Sequence, residues 1–560
     1  MRMRGLICAA FLAMLLFMRG PVLAAPQTPK TVDAALSAMS LEEKIGQMML
    51  VAFKGADMSP ELADMIASRH IGGVILYSSW GNVENPRQVA ALTAAIQAKA
   101  AATPRGVGLF IGVDQEGGPI NRLREGVTQF PSQMAVAATG DREKARLMAR
   151  VIAGELAALG INMNFAPVAD VNANPANPVI GIRSFGQDPD MVSRLTAAVV
   201  GEYNRAGMLS SPKHFPGHGD TDADSHVSLP TVSHDRKTLD RVDLAPFRAA
   251  IKAGAPAIMT AHLAVPALDG AGEPATLSPR ILQGVLRDEM RFDGLIITDS
   301  LGMGALAKSV GTVKAAVMAA KAGADVLLFG ADRDFDPSKE IEVYDALVAA
   351  ARKGEIPLNR IDQAVRRTLA AKERFGLLDA AAIPVRSQDI PFAVGSPENR
   401  QAALDIAKAS VTLRHDRLKL LPFKKEDRVL LVWPKRAADD PVDALELPEG
   451  ARLLRVGNEP TAAELHEAVL AASRADKVVV MTYDATKKPA QRDLVRAFLA
   501  VKPNGVVHVA LGAPYDLSLF PNVPAAVATY GDVPASVTAL SMALFGKTAF
   551  TGRLPVWLPQ

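Results

Sequence analysis

Gly294-Leu295-Ile296-Ile297-Thr298-Asp299-Ser300-Leu301-Gly302-Met303 holds a short apolar run that ends on a carboxylate. A run of this length between helix-like stretches reads as a buried strand. Seven similar runs lie at 46–53, 71–77, 107–113, 161–166, 208–213, 256–262 and 324–329. Ala-rich or amphipathic stretches separate them, at 86–101, 141–159, 191–206, 239–253 and 313–322. Strand and helix alternating in this way predict βα units around a parallel sheet. Eight units predict an α/β fold whose first part, 31–378, is a (β/α)8 barrel of the TIM type.

Chemically useful residues recur where the runs end. Asp114 follows Val113, and Asp170 closes 165–169. Lys213 and His214 end the fifth run, His262 the sixth and Asp299 the seventh. Barrel active sites form at the C-terminal ends of the strands, so these positions are expected at one pocket. Regular patterning weakens after residue 375; residues 379–396, with Pro384 and Pro391, read as a linker. Further apolar runs follow at 428–432, 453–456, 477–482, 506–511 and 525–529, with helical stretches at 462–475, 490–501 and 536–545. They predict a second, smaller α/β sandwich domain over 397–560.

With 560 residues, 49% hydrophobic and 22% charged, the chain has the make-up of a globular protein of at least two domains. Its net charge of +3 comes from Arg2, Arg4 and Arg19; the remaining bases and acids balance. That balance argues against nucleic acid as the main partner. The arginines flank an apolar run at 6–18, and Val22-Leu23-Ala24-Ala25 follows with small residues suited to cleavage. Residues 1–24 therefore read as a secretory signal peptide, shorter than a membrane span of ~20 apolar residues. No later segment is apolar enough to span, so a periplasmic or secreted mature protein is expected. The single cysteine, Cys8, lies inside the signal. Its removal leaves no disulfide, no thiol nucleophile and no Cys-ligated metal.

Lys213-His214-Phe215-Pro216-Gly217-His218-Gly219-Asp220-Thr221-Asp222-Ala223-Asp224-Ser225-His226 is a loop, broken by Pro216, Gly217 and Gly219. It can hold a metal, move a proton or grip a sugar. His214, His218, His226, Asp220, Asp222 and Asp224 are all plausible metal ligands. Pro216 and Gly217 make a helix unfavourable there, so His214 and His218 gain no shared face. Asp224 with His226 suits proton transfer, because a carboxylate stabilises and orients a nearby imidazolium. The plain alternative is a surface pair. Asp299 suits a nucleophile, a general base or a metal ligand, or else a helix N-cap before 302–306. Asp114-Gln115-Glu116-Gly117-Gly118 precedes Arg122. A carboxylate and a guanidinium at one pocket can hold sugar hydroxyls; elsewhere they make a weak surface pair. Gly117 and Gly118 are not a phosphate loop, since no Lys-Ser or Lys-Thr follows. Trp80, just past the second strand, is a candidate for stacking on a sugar ring.

Taken together, Asp114-Gln115-Glu116-Gly117-Gly118, Arg183-Ser184-Phe185-Gly186, loop 213–226 and Thr298-Asp299-Ser300 closely resemble glycoside hydrolase family 3. Lys-His-Phe-Pro-Gly-His-Gly-Asp-Thr followed by Asp-Ser-His resembles its β-N-acetylglucosaminidase branch. Ala510-Leu511-Gly512-Ala513-Pro514-Tyr515 and Gly552-Arg553-Leu554-Pro555-Val556 are similar to the family's second domain. The resemblance implies a retaining, exo-acting glycosidase with a carbohydrate partner and neither cofactor nor metal. Its implied substrates are peptidoglycan fragments or chito-oligosaccharides ending in β-linked N-acetylglucosamine. It implies Asp299 as nucleophile, His226 as acid/base and Asp224 as the group orienting His226. Asp114, Arg122, Arg183, Lys213 and His214 match positions that bind the terminal sugar, and His218 and Asp220 shape the loop. An imidazole base that is neutral after giving up its proton does not repel phosphate, which leaves a phosphorylase as one alternative. A β-glucosidase of the same family and a non-catalytic exported sugar-binding protein are the others.

Overall fold

The structure, a computed structural model, describes residues 31–330, 332, 336, 338–384, 390–436 and 440–559. The expected signal peptide, with Cys8, and residues 385–389 of the expected linker lie outside them. Eight parallel strands form the first sheet system: β1 (Met49–Ala52), β2 (Gly73–Ile75), β3 (Phe110–Val113), β4 (Met163–Asn164), β5 (Leu209–Ser210), β6 (Ala257–Met259), β7 (Leu295–Ile297) and β8 (Leu327–Leu328). One ladder runs from β8 through β1 to β5, and a second joins β6 to β7. Parallel bridges from Phe215 to Thr260 and from Ile297 to Val326 close the ring. Each apolar run read from the sequence holds one of these strands.

Such strands are covered on both faces, which is why they read as unbroken apolar runs. Within each, alternate residues still face opposite ways. Leu50, Phe110, Met259, Leu295, Ile297 and Leu328 fill the barrel interior. Val51, Ile258, Ile296 and Leu327 pack outward against the helices. Asn85, Asp141 and Asp188 cap the helices Pro86–Ala101, Arg142–Ala158 and Pro189–Arg205 by accepting N–H bonds. The stretch 239–253, expected as one helix, is two: Arg236–Arg241 and Ala245–Lys252. Pro246 has no N–H for a continuous helix, so the chain restarts around it.

The second sheet has strands β9 (Thr412–Asp416), β10 (Val429–Lys435), β11 (Arg452–Gly457), β12 (Lys477–Thr482), β13 (Val506–Ala510) and β14 (Ala525–Ala528). Their order is β9-β14-β13-β12-β10-β11. All neighbours are parallel except β9 and β14. Apolar clusters on both faces meet the helices. β9 is not among the strands read from the sequence. Thr-Leu-Arg-His-Asp is polar and half-buried at the sheet edge, so it shows no apolar run. Among the described residues no helix is long and apolar enough to cross a membrane.

The C-terminal part grips one barrel segment, 172–187. Asn172 Nδ2 donates to Tyr515 Oη at 2.8 Å, and the Gln187 N–H donates to the Pro555 carbonyl at 3.2 Å. The Trp557 N–H donates to Gln187 Oε1 at 2.9 Å. Arg183 lies on this clamped segment.

Candidate active site

The strand ends open into one cavity of about 1220 Å3, lined by Asp114, Lys213, His214 and Asp299 among others. At one side sits a buried charge cluster. Lys213 Nζ is 2.6 Å from both Asp114 Oδ1 and Glu116 Oε1. Arg183 donates twice to Glu116, from Nε to Oε2 at 2.9 Å and from Nη2 to Oε1 at 2.8 Å. Burial pushes the Glu116 carboxyl up, but the charges of Arg183 and Lys213 outweigh it and hold it far below its ordinary range. Burial likewise pulls Lys213 down, and Asp114 and Glu116 more than restore it. Arg122 Nη2 reaches Asp114 Oδ2 at 3.7 Å, with its guanidinium over the Tyr77 ring at 5.2 Å. The cluster offers fixed donors and acceptors to a ring bearing hydroxyls.

His214 joins this cluster through a fully buried carboxylate. Its Nδ1 is 2.7 Å from Asp170 Oδ2, and its Nε2 is 3.3 Å from Arg183 Nη2. Asp170 also accepts the N–H groups of His214, at 3.1 Å, and His218, at 2.7 Å. The loop is pressed so close that a Cβ on Gly219 would stand 1.7 Å from the Val171 carbonyl oxygen. His218 is buried between Thr221 Oγ1 (2.7 Å) and Ser225 Oγ (3.0 Å), and burial pushes it down to about 4. It shapes the loop.

Five of the six possible metal ligands are already paired, in four separate places. His214 faces Asp170, His218 faces Thr221 and Ser225, and His226 faces Asp224. Asp220 faces His234 at 3.1 Å. Among the described residues no three His, Cys, Asp or Glu side chains are grouped to hold a metal ion.

Asp299 follows β7 and accepts the Ser300 N–H at 2.7 Å. Burial pushes its carboxyl up; His214, His262, His226 and the Ser300 N–H outweigh that and hold it below its ordinary range. It caps no helix: Gly304–Ala307 starts after Met303 and has no side-chain cap. His262, from the end of β6, donates Nε2–H to the Ser300 carbonyl at 2.7 Å and so fixes the turn after Asp299. The Ser300 hydroxyl donates to Asp332, a second carboxylate in the cavity. Burial, together with the nearby Asp299 charge, raises Asp332 to about 6.

His226 and Asp224 are more exposed, at 58% and 39%. Asp224 Oδ1 accepts the His226 N–H at 2.8 Å and lies 2.7 Å from its Nδ1. The Gly304 N–H donates to the His226 carbonyl and the Ala305 N–H to the Ser225 carbonyl, each at 3.2 Å. Thus all eight site residues named from the sequence line one cavity. Trp80 does not: Lys54 Nζ covers its ring at 5.4 Å, while Tyr77 and Ser79 face the cavity. Sequence reasoning gave no role to Glu116 or Asp332. Glu116 carried a signal, since residues two apart in an extended segment share a face with Asp114.

Residues 40–371 match the Glycosyl hydrolase family 3 N terminal domain, and residues 306–560 match the family's C-terminal domain. The chain is 38% identical over 400 residues to the Beta-hexosaminidase A of Pseudoalteromonas piscicida, covering 68% of this chain and 65% of that protein. It is 30% identical to a Beta-N-acetylglucosaminidase/beta-glucosidase of Cellulomonas fimi over 94% of this chain and 95% of that protein. The fold superposes on a glycoside hydrolase family 3 beta-N-acetylglucosaminidase from Paenibacillus sp. str. FPU-7 with a TM-score of 0.86 and 38% identity, covering 93% of this chain and 99% of that one. The barrel and the second domain agree with these matches, and the chain belongs to glycosyl hydrolase family 3.

Proposed function

We propose that the protein is an exo-acting, retaining β-N-acetylhexosaminidase that removes terminal β-linked N-acetylglucosamine from peptidoglycan fragments or chito-oligosaccharides. One observation carries the mechanism: a buried, ionised Asp299 shares a cavity with an Asp224–His226 pair seated on the chain that leaves it. Asp299 attacks the anomeric carbon while imidazolium His226 gives its proton to the leaving oxygen. The covalent glycosyl-Asp299 forms with the leaving group gone. Neutral His226 then takes a proton from water, and the hydroxide oxygen displaces Asp299 with retention overall. Asp224 holds Nδ1, which leaves Nε2 for the substrate. Asp114, Arg122, Arg183, Lys213 and His214 grip the hydroxyls of the terminal sugar. The basic start and the apolar run within residues 1–24 support export to the periplasm or beyond.

The test compares an aryl β-N-acetylglucosaminide with the matching β-glucoside, for the protein and for Asp299→Ala. Turnover of the first with an initial β-anomer, lost in Asp299→Ala, is expected. Wild-type activity in Asp299→Ala sinks the assignment. Products from chitobiose and muropeptides, with and without phosphate, separate hydrolysis from phosphorolysis.

A further inference from the structure

The cavity is larger than the ~300–1,000 Å3 usual for a small-ligand site, so it has room for more than one sugar ring. The charge cluster of Asp114, Glu116, Arg183 and Lys213 takes up one part of its wall. Another part is built from 302–314, the chain that leaves Asp299. His226 and Ser225 are bonded by their carbonyls to the first residues of the helix Gly304–Ala307. Lys308 ends that helix one turn on, its N–H bonded to the Gly304 carbonyl at 3.3 Å. Lys314 lies in the first turn of the helix Thr312–Ala322.

Both lysines line the cavity and are exposed. Neither has an ion-pair partner among the described residues. The rim carboxylate of Asp336 is already offset by Lys54 and Lys339. Lys314 also opposes the positive end of its own helix, which costs stability until an anion arrives. Val227, 62% exposed, and the partly exposed Val310 and Val313 give the same wall an apolar component.

We infer that Lys308 and Lys314 form a leaving-group subsite for an aglycone that carries a carboxylate. The inference rests on the proposed role of His226. The leaving oxygen lies beside that imidazole, and what is attached to the oxygen extends over the helix that ends in Lys308. Long-range attraction between the lysines and a carboxylate works in the ground state and is weakened by salt.

The test measures kcat/KM for four substrates with the full-length protein and with Lys308→Gln/Lys314→Gln. These are an aryl β-N-acetylglucosaminide, chitobiose, N-acetylglucosaminyl-β-1,4-N-acetylmuramic acid and the methyl ester of that acid. The double variant is expected to lose about tenfold on the free acid, through two exposed charge pairs, with the other three unchanged. The wild-type preference for acid over ester is expected to fall as salt is added. An equal loss on all four substrates, or none on the acid, overturns the subsite. So does formation of a sugar 1-phosphate in added phosphate that the double variant loses, since the lysines then serve phosphate. A wild-type protein inactive on the aryl N-acetylglucosaminide overturns the glycosidase reading itself, a failure visible in that arm alone.

Discussion

The Gly304 N–H donates to the His226 carbonyl at 3.2 Å, so the chain leaving Asp299 also seats the loop that carries the proposed acid/base. A Cβ on Gly304 would stand 2.4 Å from that carbonyl oxygen. Gly304→Ala is therefore expected to displace His226 and lower kcat on chitobiose by about 10²-fold, the scale of a 1 Å misplacement. The melting temperature should hardly move. Unchanged kcat would show that the loop does not depend on this contact.

His226→Ala removes the proposed proton donor and leaves Asp299 untouched. Turnover of chitobiose, whose leaving group needs that proton, is expected to fall by about 10²–10⁴-fold. An aryl glycoside with an acidic phenol should fall far less. Equal losses for both would assign the acid/base role elsewhere.

Glu116→Gln removes the carboxylate charge and one of the two acceptors of Arg183, and with them the Lys213 ion pair, leaving two buried cations under-compensated. The expected destabilisation is about 3–5 kcal/mol by denaturant unfolding. The carboxyl is depressed in the folded state, so its contribution is present above about pH 4.3 and lost as pH falls below it. The variant should show a flatter stability profile on the acid side. A wild-type slope in the variant refutes this account.

Lys372 is fully buried, with Nζ 2.7 Å from Gln47 Oε1 and 5.1 Å from the Phe110 ring centre. Burial pushes its ammonium down to about 7. The unfolded side chain keeps its proton to about pH 10.4. Between those values the unfolded chain binds more protons, so stability rises with pH from about 7 towards 10; below 7 the folded state bears the full penalty. Lys372→Met is expected to raise the melting temperature at pH 6 and to lose that advantage near pH 10. A shift independent of pH would contradict the burial argument.

Tyr515→Phe removes the hydroxyl that accepts from Asn172 Nδ2. A buried amide donor left unpaired costs about 1–3 kcal/mol. Because the same segment carries Arg183, KM for the aryl N-acetylglucosaminide should rise several-fold while kcat changes little. A stability loss without any change in KM would make the contact purely structural.

The barrel was readable because each strand is buried on both faces, so 294–299 and its counterparts show as apolar runs. The central strands of the second sheet were readable for the same reason, whereas β9 at one edge stays polar. Asp299, His226 and Asp224 were marked by their place at a strand end and in a broken loop. Asp332 was not, and Glu116 only by its spacing from Asp114, because their meaning depends on partners at 183, 213 and 300, which the sequence does not set beside them. Trp80 misled in the opposite sense: the sequence shows an aromatic but not the lysine lying on it.

The grip on 172–187 also has an entropic meaning. Trp557 and Gln187 meet across 370 residues, so their contact closes a long loop of chain. The cost of closing such a loop grows only slowly with its length, so a few bonds at 172–187 can hold it shut. The segment that carries Arg183 is thereby tied to residues 343 and 370 positions further along the chain.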